Sequence, residues 1–62
     1  MNPCFMPIRA GVCRAWMPMY AFNADLGVCE EFTYSGCGGN LNRFETLEEC
    51  ETACGGRPRL RM

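Results

Sequence analysis

The sequence contains no histidine and no lysine, and Ser35 is its single serine. Without histidine there is no Ser-His or Cys-His pair, no imidazole base and no His-containing zinc site. Without lysine, the glycine-rich loop ending in Lys-Ser or Lys-Thr that cradles phosphates is absent. The apolar runs are far too short to cross a bilayer, so no membrane partner is expected. None of the four asparagines starts an Asn-X-Ser/Thr sequon, so no N-glycan is expected. Met1-Asn2-Pro3-Cys4 has neither the basic start nor the apolar stretch of a secretory leader. The expectation is a mature or recombinant chain whose leader has been removed or replaced. These absences together argue against an enzyme, a cofactor or a metal centre.

What the chain has in quantity is cysteine, 6 of 62 residues. A chain this short buries too little apolar surface to be comfortably stable by its core alone, so one small domain is the ceiling. That cysteine density marks a disulfide scaffold in an oxidising compartment, and secretion is the expected localisation. A zinc cluster is the rival use of the same residues, but no Cys-X2-Cys pair is present, and structural zinc sites favour that spacing. Six cysteines allow fifteen pairings, and spacing alone does not choose among them.

Charge is unevenly spread. Between Cys4 and Cys54 three arginines (Arg9, Arg14, Arg43) stand against all seven acids, a net −4, while Arg57, Arg59 and Arg61 add +3 beyond the last cysteine. An acidic body is a poor general binder of nucleic acid. Residues 56–62 are expected to be a flexible basic tail.

Local patterning suggests a small α+β chain. Prolines and glycine break the stretch from Cys4 to Val12, which reads as an irregular arm with at most one short helical turn. Met17–Asn23 and Val28–Tyr34 are aromatic-rich runs separated by Ala24-Asp25-Leu26-Gly27, a pattern that predicts a two-stranded antiparallel β-hairpin. Tyr20 and Phe22 share one face of the first strand, and Glu30, Phe32 and Tyr34 one face of the second. Thr46-Leu47-Glu48-Glu49 fits a capping box, in which the Thr46 hydroxyl serves the Glu49 N–H and the Glu49 carboxylate reaches back. A C-terminal α-helix follows, with Leu47, Cys50 and Cys54 on one face and Gly55 at its end.

The gaps between Cys4, Cys13, Cys29, Cys37, Cys50 and Cys54 are eight, fifteen, seven, twelve and three residues. This framework resembles the Kunitz family, whose archetype is the bovine pancreatic trypsin inhibitor, without a gap from Cys4 to Gly55. Phe32-Thr33-Tyr34-Ser35-Gly36-Cys37 resembles the family's aromatic-X-Tyr-Gly-Gly-Cys segment, and Asn42-Arg43-Phe44 its Asn-X-Phe. The resemblance implies a single inhibitor domain over residues 4–55, with pairs Cys4–Cys54, Cys13–Cys37 and Cys29–Cys50. It also implies a protease-binding surface of Val12, Cys13, Arg14, Ala15, Trp16, Met17, Ser35, Gly36 and Cys37. On that reading Arg14 enters the primary specificity pocket of a trypsin-like serine protease and Arg14-Ala15 is the slowly cleaved bond. A guanidinium suits a pocket with a carboxylate at its base, where it makes a bidentate, charge-assisted pair. A monomer is the expected state. Two departures stand out: the family usually has glycine in place of Ser35 and an aromatic in place of Ala21. Trp16, Met17 and Met19 add apolar bulk near the bond, which either widens the apolar footprint on a target and tunes selectivity or covers the hairpin's edge, the second reading applying most to Met19. The competing readings are a retargeted binder of a chymotrypsin-like or cysteine-type protease, and an ion-channel-blocking toxin. Channel blockers of this family rely on lysines, which this chain lacks.

Overall fold

The computed structural model describes residues 2–55, so the basic segment 56–62 lies outside the described residues. The order of elements is a 3-10 turn at Pro3–Phe5, strand β1 at Met17–Asn23, strand β2 at Val28–Tyr34 and helix α1 at Leu47–Cys54. β1 and β2 pair antiparallel from Met17 opposite Tyr34 to Asn23 opposite Val28. This is the expected small α+β architecture.

Each element ends where its sequence provides a reason. The 3-10 turn starts at Asn2, whose side chain accepts from the Cys4 N–H at 2.9 Å, with Pro3 at a position where a missing N–H costs nothing. At the hairpin tip the Asn23 side chain accepts from the Leu26 N–H at 3.1 Å, and Gly27 donates to the Asn23 carbonyl at 2.7 Å. Thr46 caps α1, its hydroxyl accepting from the Glu49 N–H at 3.0 Å, and Gly55 closes it by donating to Glu51 O at 2.7 Å. The reciprocal half of the capping box is displaced by one residue, since the Glu49 carboxylate accepts from the Glu45 N–H at 3.3 Å. Glu49 still supplies negative charge at the helix N-terminus, which favours it.

The helical face is carried by its cysteines. Cys50 is fully buried and Cys54 half-buried, but Leu47, one turn ahead of the bridge to β2, is 42% exposed. The bridges are Cys4–Cys54, Cys13–Cys37 and Cys29–Cys50, and no cysteine is free. Among the described residues the core is Cys4, Phe22 and Cys50, with Tyr20, Cys29, Phe44 and Cys54 packed on it. Four of these seven residues are half-cystines, so the cross-links are also the packing. Phe44 reaches the core by a bridge to β1: its N–H donates to Tyr20 O at 2.7 Å and Tyr20 N–H donates back at 2.8 Å.

Asn42 ties the remaining loop to the sheet. Its side chain, 1% exposed, accepts from the Phe22 N–H at 2.9 Å and donates to Phe22 O at 3.0 Å and Met6 O at 2.9 Å. One amide therefore joins the N-terminal arm, β1 and the chain before α1. Truncation leaves three backbone groups without partners, two of them in buried bonds. Asn42→Ala is expected to lower stability by about 3 kcal/mol or more, as unsatisfied buried groups do. Urea unfolding with the disulfides intact measures this, and a loss below about 0.5 kcal/mol would refute the tie.

Candidate functional site

At the end of the hairpin away from its tip, residues 10–17 run alongside residues 35–38. The inner line is β2 continued: Tyr34 and Ser35 are buried, and beyond them Gly36, Cys37 and Gly38 turn back. The outer line is nearly all surface. Val12 is 85% exposed, Trp16 84% and Met17 42%, and Cys13, Arg14 and Ala15 between them are exposed as well.

The two lines are stitched at short intervals. Ser35 N–H donates to Ala10 O at 2.7 Å, Val12 N–H to Cys37 O at 3.2 Å, and Ala15 N–H to Ser35 O at 2.8 Å. Between the last two, Cys13 is bonded to Cys37 with their Cα atoms 5.5 Å apart, and its N–H donates to the Ser35 hydroxyl at 3.0 Å. The Tyr34 hydroxyl donates to Gly38 O at 3.1 Å, and the Arg43 guanidinium lies 4.3 Å over the Tyr34 ring. Arg43 also donates to Asn40 O at 2.9 Å, so the turn after Cys37 is braced from below. Arg14 and Ala15 thus project from a segment anchored on both sides of the bond between them. Among the described residues no acid lines the groove beside them, which runs from Ala10 past Trp16 to Thr33 and Ser35.

The residues singled out in the sequence fall into two groups. Val12, Cys13, Arg14, Ala15, Trp16 and Met17 form the exposed edge. Ser35 lies behind that edge at 8% exposure, its hydroxyl turned inward to Cys13 and Cys37. Gly36 gives Ala15 room, because a Cβ there would lie 3.2 Å from the Ala15 Cβ. Ser35 needs none of the freedom of the family's usual glycine, since among the described residues no non-glycine residue has a positive φ. Met19 is half-buried opposite Phe32, and Ala21 is fully buried.

Gly11 was not legible as part of the site. It has φ +92°, and a Cβ on it would run into the Cys37 carbonyl oxygen and the Ser35 hydroxyl. The sole sequence signal was a glycine two positions before a cysteine. The two lines approach this closely because Gly11 has no side chain. Gly11→Ala is expected to cost about 2 kcal/mol or more, from positive-φ strain and displacement of Cys37. Thermal unfolding reads the loss, and amide exchange at Val12, whose bond to Cys37 O would lengthen, should speed up. An unchanged unfolding midpoint would contradict this account.

Among the described residues no cluster of three His, Cys, Asp or Glu side chains is placed to hold a metal ion, and no helix is long and apolar enough to cross a membrane. The sequence profile of the Kunitz/Bovine pancreatic trypsin inhibitor domain matches residues 3–55. U-actitoxin-Avd3l of Anemonia viridis is 54% identical over 56 residues, which cover 90% of this chain and 68% of that protein. A chain in the complex between SmCI and human carboxypeptidase A4 superposes with a TM-score of 0.86 at 42% identity, over 89% of this chain and 33% of the other. A chain from a study of pore-modulating toxins that block K+ channels superposes with a TM-score of 0.84 at 28% identity, over 87% of this chain and 92% of the other.

Proposed function

Because the chain belongs to the Kunitz/Bovine pancreatic trypsin inhibitor domain family, a family of inhibitors and not of enzymes, we infer that it inhibits trypsin-like serine proteases in a substrate-like manner. The observation that carries this reading is the exposed Arg14-Ala15 pair, anchored through Cys13 on one side and the Ala15 N–H on the other. Arg14 fills the primary pocket of the protease. There its planar guanidinium pairs with a buried carboxylate, a contact a compact ammonium makes less well. The small Ala15 lets the protease's nucleophile and oxyanion hole reach the Arg14 carbonyl. Because the segment is already ordered, binding forfeits little conformational entropy. If the Arg14–Ala15 bond is cut, both new ends stay tied to residues 35–37, and religation competes with release.

Val12, Trp16 and Met17 extend the contact on either side of the bond, while Gly36 and Cys37 form its second rim. Trp16 presents a rigid apolar face with few torsions to freeze, a side chain favoured at the centre of interfaces. It restricts the target to trypsin-like enzymes with an apolar surface beyond the scissile bond. The three disulfides suit an oxidising compartment, so the protein acts after secretion. The fold likeness to K+-channel toxins favours a second reading, but the absence of lysine and the net charge of −1 weigh against a cation-channel mouth.

Titration of active-site-calibrated trypsin is expected to show stoichiometric inhibition. Arg14→Ala should weaken it about a thousandfold or more, since the pocket carboxylate loses its partner. Arg14→Leu should lose trypsin and gain proteases with apolar pockets. Undiminished inhibition by Arg14→Ala, or rapid complete hydrolysis after Arg14 in the parent, would sink the assignment.

A further inference from the structure

Cys13 and Cys37 are joined twice. One link is the disulfide. The other passes through a side chain: the Ser35 hydroxyl accepts from the Cys13 N–H at 3.0 Å and donates to the Cys37 carbonyl at 3.3 Å. The same residue uses its backbone to hold the flanks, with its N–H on Ala10 O and its carbonyl on the Ala15 N–H. Ser35 is 8% exposed, and Gly11 closes over its hydroxyl, as a Cβ there would lie 2.6 Å from the oxygen. A hydroxyl so enclosed has little access to bulk water. If it is removed without replacement, the Cys13 N–H is left without a partner, while the Cys37 carbonyl keeps only the Val12 N–H.

We propose that the Ser35 hydroxyl is a positioning residue of the binding segment, a non-covalent clasp acting in parallel with the Cys13–Cys37 bond. It holds the peptide leading into Arg14, so the segment keeps its shape even when the covalent clasp is missing. This rests on the reading of Arg14-Ala15 as the bond presented to a protease. Two links in parallel across one pair of residues have a characteristic energetic signature. Removing either is partly masked by the other, and removing both costs more than the product of the single effects.

Three substitutions separate hydrogen bonding from bulk. Ser35→Ala keeps the Cβ and removes both hydrogen bonds. Ser35→Gly removes the same bonds but opens room for a water, which can bridge two polar groups almost as well as a hydroxyl. Cys13→Ala with Cys37→Ala removes the covalent link and leaves the other two disulfides in place.

The test is a double-mutant cycle read by trypsin inhibition, with hydrogen exchange at the residue-13 amide measured in the free protein. With the disulfide present, Ser35→Ala is expected to weaken inhibition by no more than about fivefold; without it, by about thirtyfold or more, with faster cleavage after Arg14. Residue-13 exchange should accelerate about tenfold or more in Ser35→Ala, and Ser35→Gly should stay nearer the parent in both readouts. The same factor in both backgrounds, unchanged exchange, or Gly faring worse than Ala overturns the clasp. If the parent fails to inhibit trypsin, the proposed function falls. Exchange at residue 13 in the disulfide-intact chain still decides the role of Ser35, and it needs neither protease nor the cysteine variants.

Discussion

The covalent bridge between Cys29 and Cys50 fastens α1 to the hairpin at a point where Cys50 is fully buried, and the rest of the core is assembled around that fastening. Cys54 of the same helix reaches back fifty positions to Cys4, which brings the N-terminal turn onto the same cluster. In the chain-entropy treatment, loops of these lengths contribute about 3–4 kcal/mol each by restricting the unfolded chain. Their second contribution is spatial. Sulfur and aromatic rings fill a core for which so short a chain has few aliphatic residues to offer.

Buried polarity does the remaining work of specification. A core this small could be packed several ways, but Asn42 accepts only an arrangement that presents Phe22 N–H, Phe22 O and Met6 O to one amide. Asn40 extends the tie, donating to Pro7 O at 2.8 Å and accepting from the Asn42 N–H at 2.9 Å. Hydrogen bonds of this kind add modestly to stability when made and cost heavily when left unmade. They therefore exclude alternatives more than they lower the energy of the native chain, and they position the arm from which residues 10–17 continue.

The parts of this organisation that were legible in the sequence are those written in local chemistry. The hairpin bounds follow from aromatic runs flanking a glycine-ended turn, and the helix bounds from Thr46 and Gly55. The bridge of Phe44 to Tyr20 left no such trace, because a single residue joining a strand has no periodicity to detect. Leu47 fitted the apolar spacing yet stays 42% exposed, since the docking of α1 is decided by its cysteines. The site divides in the same manner. Arg14 and its neighbours were found from their place beside Cys13 in a recognised framework. Gly11 and the inward turn of Ser35 depend on two distant stretches of backbone meeting, which no local pattern encodes.

The distinction between a substrate and an inhibitor, on the proposed function, is a matter of where order is supplied. A flexible chain carrying Arg-Ala would lose conformational freedom on entering a protease, and its fragments would diffuse apart after cleavage. Here the segment is ordered before any encounter by bonds on both sides of Arg14-Ala15. Those bonds end on Ser35 and Cys37, which belong to the same short stretch following β2. A cut between Arg14 and Ala15 therefore separates two ends that remain attached to neighbouring points on one rigid support. The leaving amine stays near the acyl group at a high effective concentration, so the reverse reaction is favoured by the geometry that favoured binding. Fast release would require this end of the molecule to open, and the disulfide, three backbone hydrogen bonds and the Ser35 hydroxyl all oppose that opening.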